Sequence, residues 1–159
     1  MTTIGFASHD HEGCITAALV QAEAHCVAQK LQFTPVRRRV LEILLQEHRA
    51  LGAYEILEVL GAEGLGSQPP VVYRALEFLV RHGLAHRIER INAYTACAHP
   101  GQAHVPAFLI CRTCRAVAET HTGLTQGRLG DAARAVGFTI ERIAIEAEGL
   151  CPGCAPGPS

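Results

Sequence analysis

Two cysteine pairs, Cys111-Arg-Thr-Cys114 and Cys151-Pro-Gly-Cys154, carry the most specific chemistry in the sequence. Two residues between cysteines let both sulfurs of a knuckle turn toward one ion. Two knuckles complete a tetrahedral shell of four thiolates, the closed arrangement of structural zinc. The alternatives are two unrelated turns or a thioredoxin-like redox motif. Redox use needs one CxxC at a helix N-terminus, whereas both pairs here fall at the ends of expected strands.

A second set of potential ligands lies around the middle of the chain: His86, Cys97, His99, His104, Glu119 and His121. Neutral imidazole, thiolate and carboxylate all bind zinc, and four ligands drawn from both sides of a hinge would convert metal occupancy into domain geometry. The competing reading is a scatter of structural histidines on strands. A third set, Tyr54, Tyr73, Arg74 and Arg81 with the triple Arg37 to Arg39, suits duplex DNA. Arginine makes bidentate contacts to guanine in the major groove, and tyrosine reaches phosphate or a thymine methyl. Arginines on a solvated helix face are the bland alternative.

These residues need elements to place them. The chain has 159 residues, 48% apolar and 18% charged, so it can bury a core and is not disordered as a whole. Its 14 basic and 15 acidic side chains nearly cancel, so any nucleic-acid binding must rest on a local patch. Seven cysteines and nine histidines are a marked excess. The N-terminus shows no signal peptide and no apolar run approaches a membrane span, so the expectation is a cytoplasmic protein with reduced thiols, where CxxC pairs read as metal ligands.

Periodicity predicts a mobile tail over 1–15 containing His9, His11 and Cys14, then a helix over 16–31. Thr34-Pro35 reads as an N-cap followed by proline at the first helical position, opening a second helix through Gln46. A third helix is expected from Ala53 to Leu60, stopped by Gly61, and a fourth from Val71 to His82, stopped by Gly83 and opened by Pro69-Pro70. Leu84 to Ile91 and Ala93 to Cys97, flanking Asn92, suggest a hairpin. Helices followed by a hairpin form the pattern of a winged helix-turn-helix, in which the helix before the hairpin enters the major groove. Here that helix carries Tyr73, Arg74 and Arg81.

Residues 98–106 read as a hinge. Strands are expected at Phe108–Cys111, Ala116–Thr120 and Phe138–Glu148, with a helix from Leu124 to Val136, making a small α/β domain over 107–154 and a tail at 155–159. A unit of about fifty residues is marginal without a staple. The overall class is therefore α+β: an N-terminal winged helix-turn-helix over 16–97 followed by a small α/β domain.

The run Thr34-Pro-Val-Arg-Arg-Arg-Val-Leu41, then Ala53-Tyr-Glu-Ile-Leu57, then Pro69-Pro-Val-Val-Tyr-Arg-Ala-Leu-Glu-Phe-Leu79, with the paired knuckles behind it, resembles the Fur family of metal-dependent repressors from about Ala17 to Cys154. Tyr94-x-x-Cys97, His104 and Glu146-Ala-Glu-Gly-Leu-Cys151 resemble its zinc-sensing branch. Iron-sensing members carry a His-rich run where this chain has Ala98-His-Pro-Gly-Gln-Ala-His104.

The resemblance implies a structural zinc at Cys111, Cys114, Cys151 and Cys154. It implies a regulatory zinc at His86, Cys97, His104 and Glu119, with His99 as the alternate to His104. It implies DNA contacts by Tyr54, Tyr73 and Arg74, to which Arg37 is added as a candidate, and a homodimer joined through the C-terminal domains on a palindromic operator. The expected function is zinc-responsive repression of zinc uptake genes by a non-enzyme holding about two zinc ions per protomer. An iron or peroxide sensor of the same family is the nearest alternative. A zinc-stapled interaction module or a zinc enzyme is the alternative from another class, although no His-x-Glu of the zinc deaminases occurs.

Overall fold

The computed structural model describes residues 10–47, 49–66, 68–98, 100, 105–121 and 127–157. Expectations that fall on His9, His99 and His104 lie outside them. The chain divides into two compact units, Ala7–Gly101 and Gln102–Ser159, taken here one at a time.

The first unit begins with α1 (His11–Ala28), five residues ahead of the expected start. Asp10 caps it, its carboxylate accepting from the Gly13 N–H. His11 and Cys14 therefore belong to a helix, and His11 Nε2 lies 2.8 Å from the Gln46 carbonyl. Leu19, Ala22 and Cys26 form the buried stripe of α1. In α2 (Pro35–Gln46) the Thr34 hydroxyl accepts from the Arg37 N–H, and Val40, Leu41, Ile43 and Leu44 face the core.

α3 (Ala53–Ala62) runs through Gly61, which was expected to end it; the left-handed turn falls at Gly64, with the Leu65 N–H on the Leu60 carbonyl. One glycine inside a helix costs about 1 kcal/mol relative to alanine, too little to stop a helix whose Ile56 and Leu60 are fully buried. α4 (Pro69–Arg81) has its two prolines in the first turn, where no N–H is missed, and buries Val72, Ala75, Leu76, Phe78 and Leu79. Gly83, at φ 71°, turns the chain out of α4, and the Leu84 N–H closes on the Leu79 carbonyl.

β1 (Ala85–Ile88) and β2 (Ala93–Ala96) form an antiparallel hairpin joined by a 3-10 turn, Glu89–Ile91. Leu51 bridges Tyr94 with paired backbone hydrogen bonds of 2.8 and 2.9 Å, tying the hairpin to the segment ahead of α3. One apolar core runs from Leu19 on α1 to Tyr94 on β2. Helices closed by a hairpin in this order make the unit a winged helix-turn-helix.

The second unit is a three-stranded sheet in the order β4-β3-β5. β3 (Pro106–Cys111) is antiparallel to β4 (Val117–His121) and parallel to β5 (Ile145–Gly149), with α5 (Arg128–Ala135) between β4 and β5 in the chain. The strand expected from Phe138 is confined to β5. Its ladder begins at Ala107 opposite Ile145, and β3 itself begins at Pro106, which has no N–H to extend the pairing. Residues 138–144 therefore run without strand pairing.

Candidate metal centre and nucleic-acid interface

The parallel β3–β5 register builds the sulfur cluster. Cys111, the last residue of β3, stands opposite Gly149, and the Arg112 N–H donates to the Gly149 carbonyl at 2.9 Å. The first knuckle folds back through the Arg115 N–H to the Cys111 carbonyl, with Arg115 in the left-handed region at φ 63°. Two residues beyond Gly149 the second knuckle closes through the N–H groups of Cys154 and Ala155 on the Cys151 carbonyl, at 3.0 and 2.8 Å.

The four sulfurs lie within 4.8 Å of one another, and Cys114 Sγ is 3.7 Å from Cys151 Sγ. A tetrahedron with zinc–sulfur bonds of about 2.3 Å has edges of about 3.8 Å, so the cluster fits a zinc ion. Cys111 and Cys151 are buried, Cys154 is half-buried and Cys114 is exposed. Backbone hydrogen bonds from Cys114 and Cys151 hold the Cys111 thiol down to about 6. Hydrogen bonding with the sulfurs of Cys151 and Cys114 pushes Cys154 up to about 12. One sulfur is thus ready to be a thiolate while another resists ionising among its neighbours, a conflict that a bound dication removes.

In the first unit, His86 on β1 and Cys97 just after β2 bring their ligand atoms within 4.8 Å of each other. Cys97 is buried, and its N–H donates to the Leu84 carbonyl at 3.0 Å. A thiolate beside an imidazole is a borderline-soft pair suited to zinc. In the second unit, Glu119 on β4 faces Phe108 across the ladder and is the one charged side chain buried among the described residues.

Tyr54, at the start of α3, and Tyr73, in the first turns of α4, share a shallow apolar cleft with Ala53, Leu57, Pro69 and Val72. Tyr54 is 69% and Tyr73 43% exposed, and Arg74 beside Tyr73 is exposed as well. Exposed aromatic and guanidinium groups at the leading end of the helix before the hairpin are arranged to reach a groove.

The arginine triple also makes contacts within the first unit. Arg37 stacks on the Phe78 ring at 3.9 Å from its centroid and donates to the Gln32 carbonyl, and it does not line the tyrosine cleft. Arg38 pairs with Glu23, joining α1 to α2. Arg39 grips Glu63 with its Nε at 2.8 and 3.1 Å from the two carboxylate oxygens, and lies 3.3 Å from Glu42. Such pairs hold helices in place more than they stabilise, since exposed ion pairs are worth about 0 to 1 kcal/mol. Gly149 lies within the run Glu146-Ala-Glu-Gly-Leu-Cys151, which carries the resemblance, but its pairing role is not legible there; its signal is its place two residues ahead of the second knuckle.

A winged helix-turn-helix with an exposed tyrosine and arginine on its fourth helix, in one chain with a four-sulfur cluster that fits a metal ion, is the pattern of a metal-dependent DNA-binding regulator. The ferric uptake regulator family matches residues 28–148. The chain is 36% identical over 137 residues to the zinc uptake regulation protein of Escherichia coli K12, covering 86% of this chain and 80% of that protein. Among solved structures it is similar to a zinc uptake regulator complexed with zinc and DNA (TM-score 0.83, 34% identity, 87% of this chain and 93% of that one). It is similar also to the holo form of XcZur (TM-score 0.78, 34% identity, 86% and 96%). The chain belongs to the ferric uptake regulator family, and its most similar relatives among these are zinc uptake regulators, or Zur proteins.

Proposed function

We propose that this protein is a zinc-responsive transcriptional repressor that binds a palindromic operator as a zinc-loaded homodimer and silences zinc uptake genes. The observation that supports the reading is the His86–Cys97 pair, an imidazole and a thiol close together in the hairpin region that directly follows α4. The relatives support zinc and DNA as partners. Their being regulators supports a non-enzymatic role, and no helix among the described residues is long and apolar enough to cross a membrane.

Two zinc ions per protomer have separate tasks in this proposal. Cys111, Cys114, Cys151 and Cys154 hold a structural ion whose binding energy is the folding energy of the second unit. His86, Cys97, His104 and Glu119 hold the regulatory ion, His99 being the alternate to His104. Bound there, zinc supplies charge neutralisation that lets the thiolate and the buried Glu119 carboxylate coexist. Tyr54, Tyr73, Arg74 and Arg37 contact the operator. By linkage, whatever factor zinc adds to DNA affinity, DNA adds to zinc affinity, commonly about 1 to 3 kcal/mol.

The test is operator binding by fluorescence anisotropy against buffered free zinc for the parent and Cys97→Ser. The variant is expected to need far more free zinc while keeping the four-thiolate ion. An unchanged zinc midpoint removes Cys97 from the sensor. Zinc stoichiometry before and after mild chelation is expected to fall from two to one per protomer.

A further inference from the structure

We infer that the His82 ring is a proton-sensitive latch for α4: neutral, it shares the Phe78 ring with the Arg37 guanidinium, and protonated, it loosens the seat of the helix that carries Tyr73 and Arg74. The inference rests on the DNA-binding role proposed above only in its last step, the loss of operator affinity.

The geometry is a seam between three helices. Phe78, near the end of α4, is buried, and two side chains lie against it. The Arg37 guanidinium, from the first turn of α2, stands 3.9 Å from the centroid of its ring. His82, the C-cap of α4, has its own ring centroid 4.7 Å from that of Phe78, tilted by 56°. A neutral imidazole packs here as one more aromatic, in the tilted arrangement such rings favour. An imidazolium is a second cation at a ring whose quadrupole already holds Arg37, and the two repel.

The surroundings offer that proton no counter-ion. The charged groups that act on His82 are Arg81 from α4 itself, His25 from the last turn of α1 and Arg37 from α2, and none is a carboxylate. Glu23 of α1 is engaged by Arg38, and Cys26, which also faces Arg37, is a thiol that burial pushes up and keeps neutral. Glu77 of α4 is exposed and five residues back, about 140° around the helix from His82. His86 and Arg87 of β1 are not among the groups that act on it. A helix C-terminus favours a cation, yet burial and then the neighbouring cations hold His82 below the ordinary histidine value of 6.5. A histidine held down in this way contributes stability that is complete above 6.5 and lost as pH falls through its lower folded value. The same seam ends α4: the His82 N–H closes on the Phe78 carbonyl and the Leu84 N–H on the Leu79 carbonyl. Loosening it frees the last turn of the helix that is proposed to enter the groove.

The experiment uses the zinc-loaded full-length protein at saturating free zinc, for the parent, His82→Gln and Arg81→Gln, between about pH 7.5 and about pH 5.5. Heteronuclear NMR follows the histidine rings, His82 being the signal missing from His82→Gln. Its midpoint is expected below 6.5 in the parent and higher in Arg81→Gln. Amide protection in the last turn of α4, corrected for the intrinsic effect of pH, is expected to fall with acid in the parent and to fall less in His82→Gln. Operator affinity at unchanged zinc content is expected to drop more steeply with acid in the parent than in His82→Gln. A His82 midpoint at or above 6.5, or protection and affinity that follow pH identically in the parent and His82→Gln, overturns the inference. If circular dichroism shows His82→Gln to be unfolded, Arg81→Gln decides, and an unmoved His82 midpoint overturns the inference. A zinc-loaded parent that binds no operator at any of these pH values overturns the proposed function and leaves the NMR and exchange results to judge the latch.

Discussion

Cys111 stands opposite Gly149 in the parallel β3–β5 ladder, and this one pairing brings two cysteine pairs from distant parts of the chain within 4.8 Å of each other. Among its described residues the second unit offers a short sheet and one eight-residue helix, too little apolar surface to hold itself together without help. Structural zinc supplies about 10 to 16 kcal/mol in small domains of this kind. Cys114→Ser and Cys151→Ser are therefore expected to lose one zinc per protomer and the cooperative melting of the second unit, while the helical signal of α1 to α4 persists. Metal analysis and hydrogen exchange resolved by unit check this; protection of β3 and β5 unchanged in either variant contradicts it.

The thiols of the metal-free protein set a pH dependence with two limbs. Cys111 is held down to about 6, so its stabilising contribution is complete above the ordinary thiol value of 9.0 and fades as pH falls toward about 6. Cys154 is pushed up to about 12, so its contribution is complete below 9.0 and is lost as pH rises toward about 12. In chelated protein the residual structure of the second unit should be greatest near pH 9 and less on either side. Thiolate absorbance should show one group ionising near pH 6. Residual structure independent of pH across this range sets aside the hydrogen-bonded cluster in the absence of metal.

Arg74→Ala is expected to cost about 1 to 3 kcal/mol of operator binding and to relax discrimination at one base pair. Tyr73→Phe should weaken binding less and leave zinc content at the parental value. Competition with single-base operator variants reads both effects. Equal losses on specific and unrelated DNA would move Arg74 from base reading to phosphate contact.

Cysteine reactivity gives an independent map. Cys26 is 1% exposed and its thiol is raised by burial among α1 and α2 side chains, whereas Cys14 is exposed on the first turn of α1. Alkylation of the zinc-loaded protein should mark Cys14 first and spare Cys26 until global unfolding. Mass spectrometry of digested protein identifies the sites, and early labelling of Cys26 contradicts the packing of α1 on α2.

What could be read from the sequence follows from how local its causes are. Thr34-Pro35 announced α2 because a cap acts within one turn, and Gly83 announced the end of α4 for the same reason. The CxxC pairs announced themselves because ligand spacing is chemistry written along the chain. The start of α1 was missed because His11 to Ile15 shows no apolar period; its signal was Asp10, a cap resting on one hydrogen bond to Gly13. The arginine triple was legible as charge but not as structure. Glu23 and Glu63, which engage Arg38 and Arg39, lie far off in sequence, and nothing local distinguishes a clamp from a phosphate contact. The start of β5 depended on Pro106 in another strand. Of the proposed sensor ligands, His86 and Cys97 lie near each other because the hairpin pairs Ala85 with Ala96, whereas His104 and His99 fall outside the described residues.

The sulfur cluster also imposes an order on synthesis. Cys114 and Cys151 meet across 37 positions of chain, so the site cannot close until the second cysteine pair has been translated. The helices of the first unit pack through nearer neighbours and have left the ribosome by then, since N-terminal units fold first as the chain emerges. Each newly made molecule thus owns a folded reader of DNA before it owns a metal centre. Newborn chains in a zinc-starved cell are completed with the four thiols still competing for metal, so the supply that the protein is proposed to report on also limits how fast it matures.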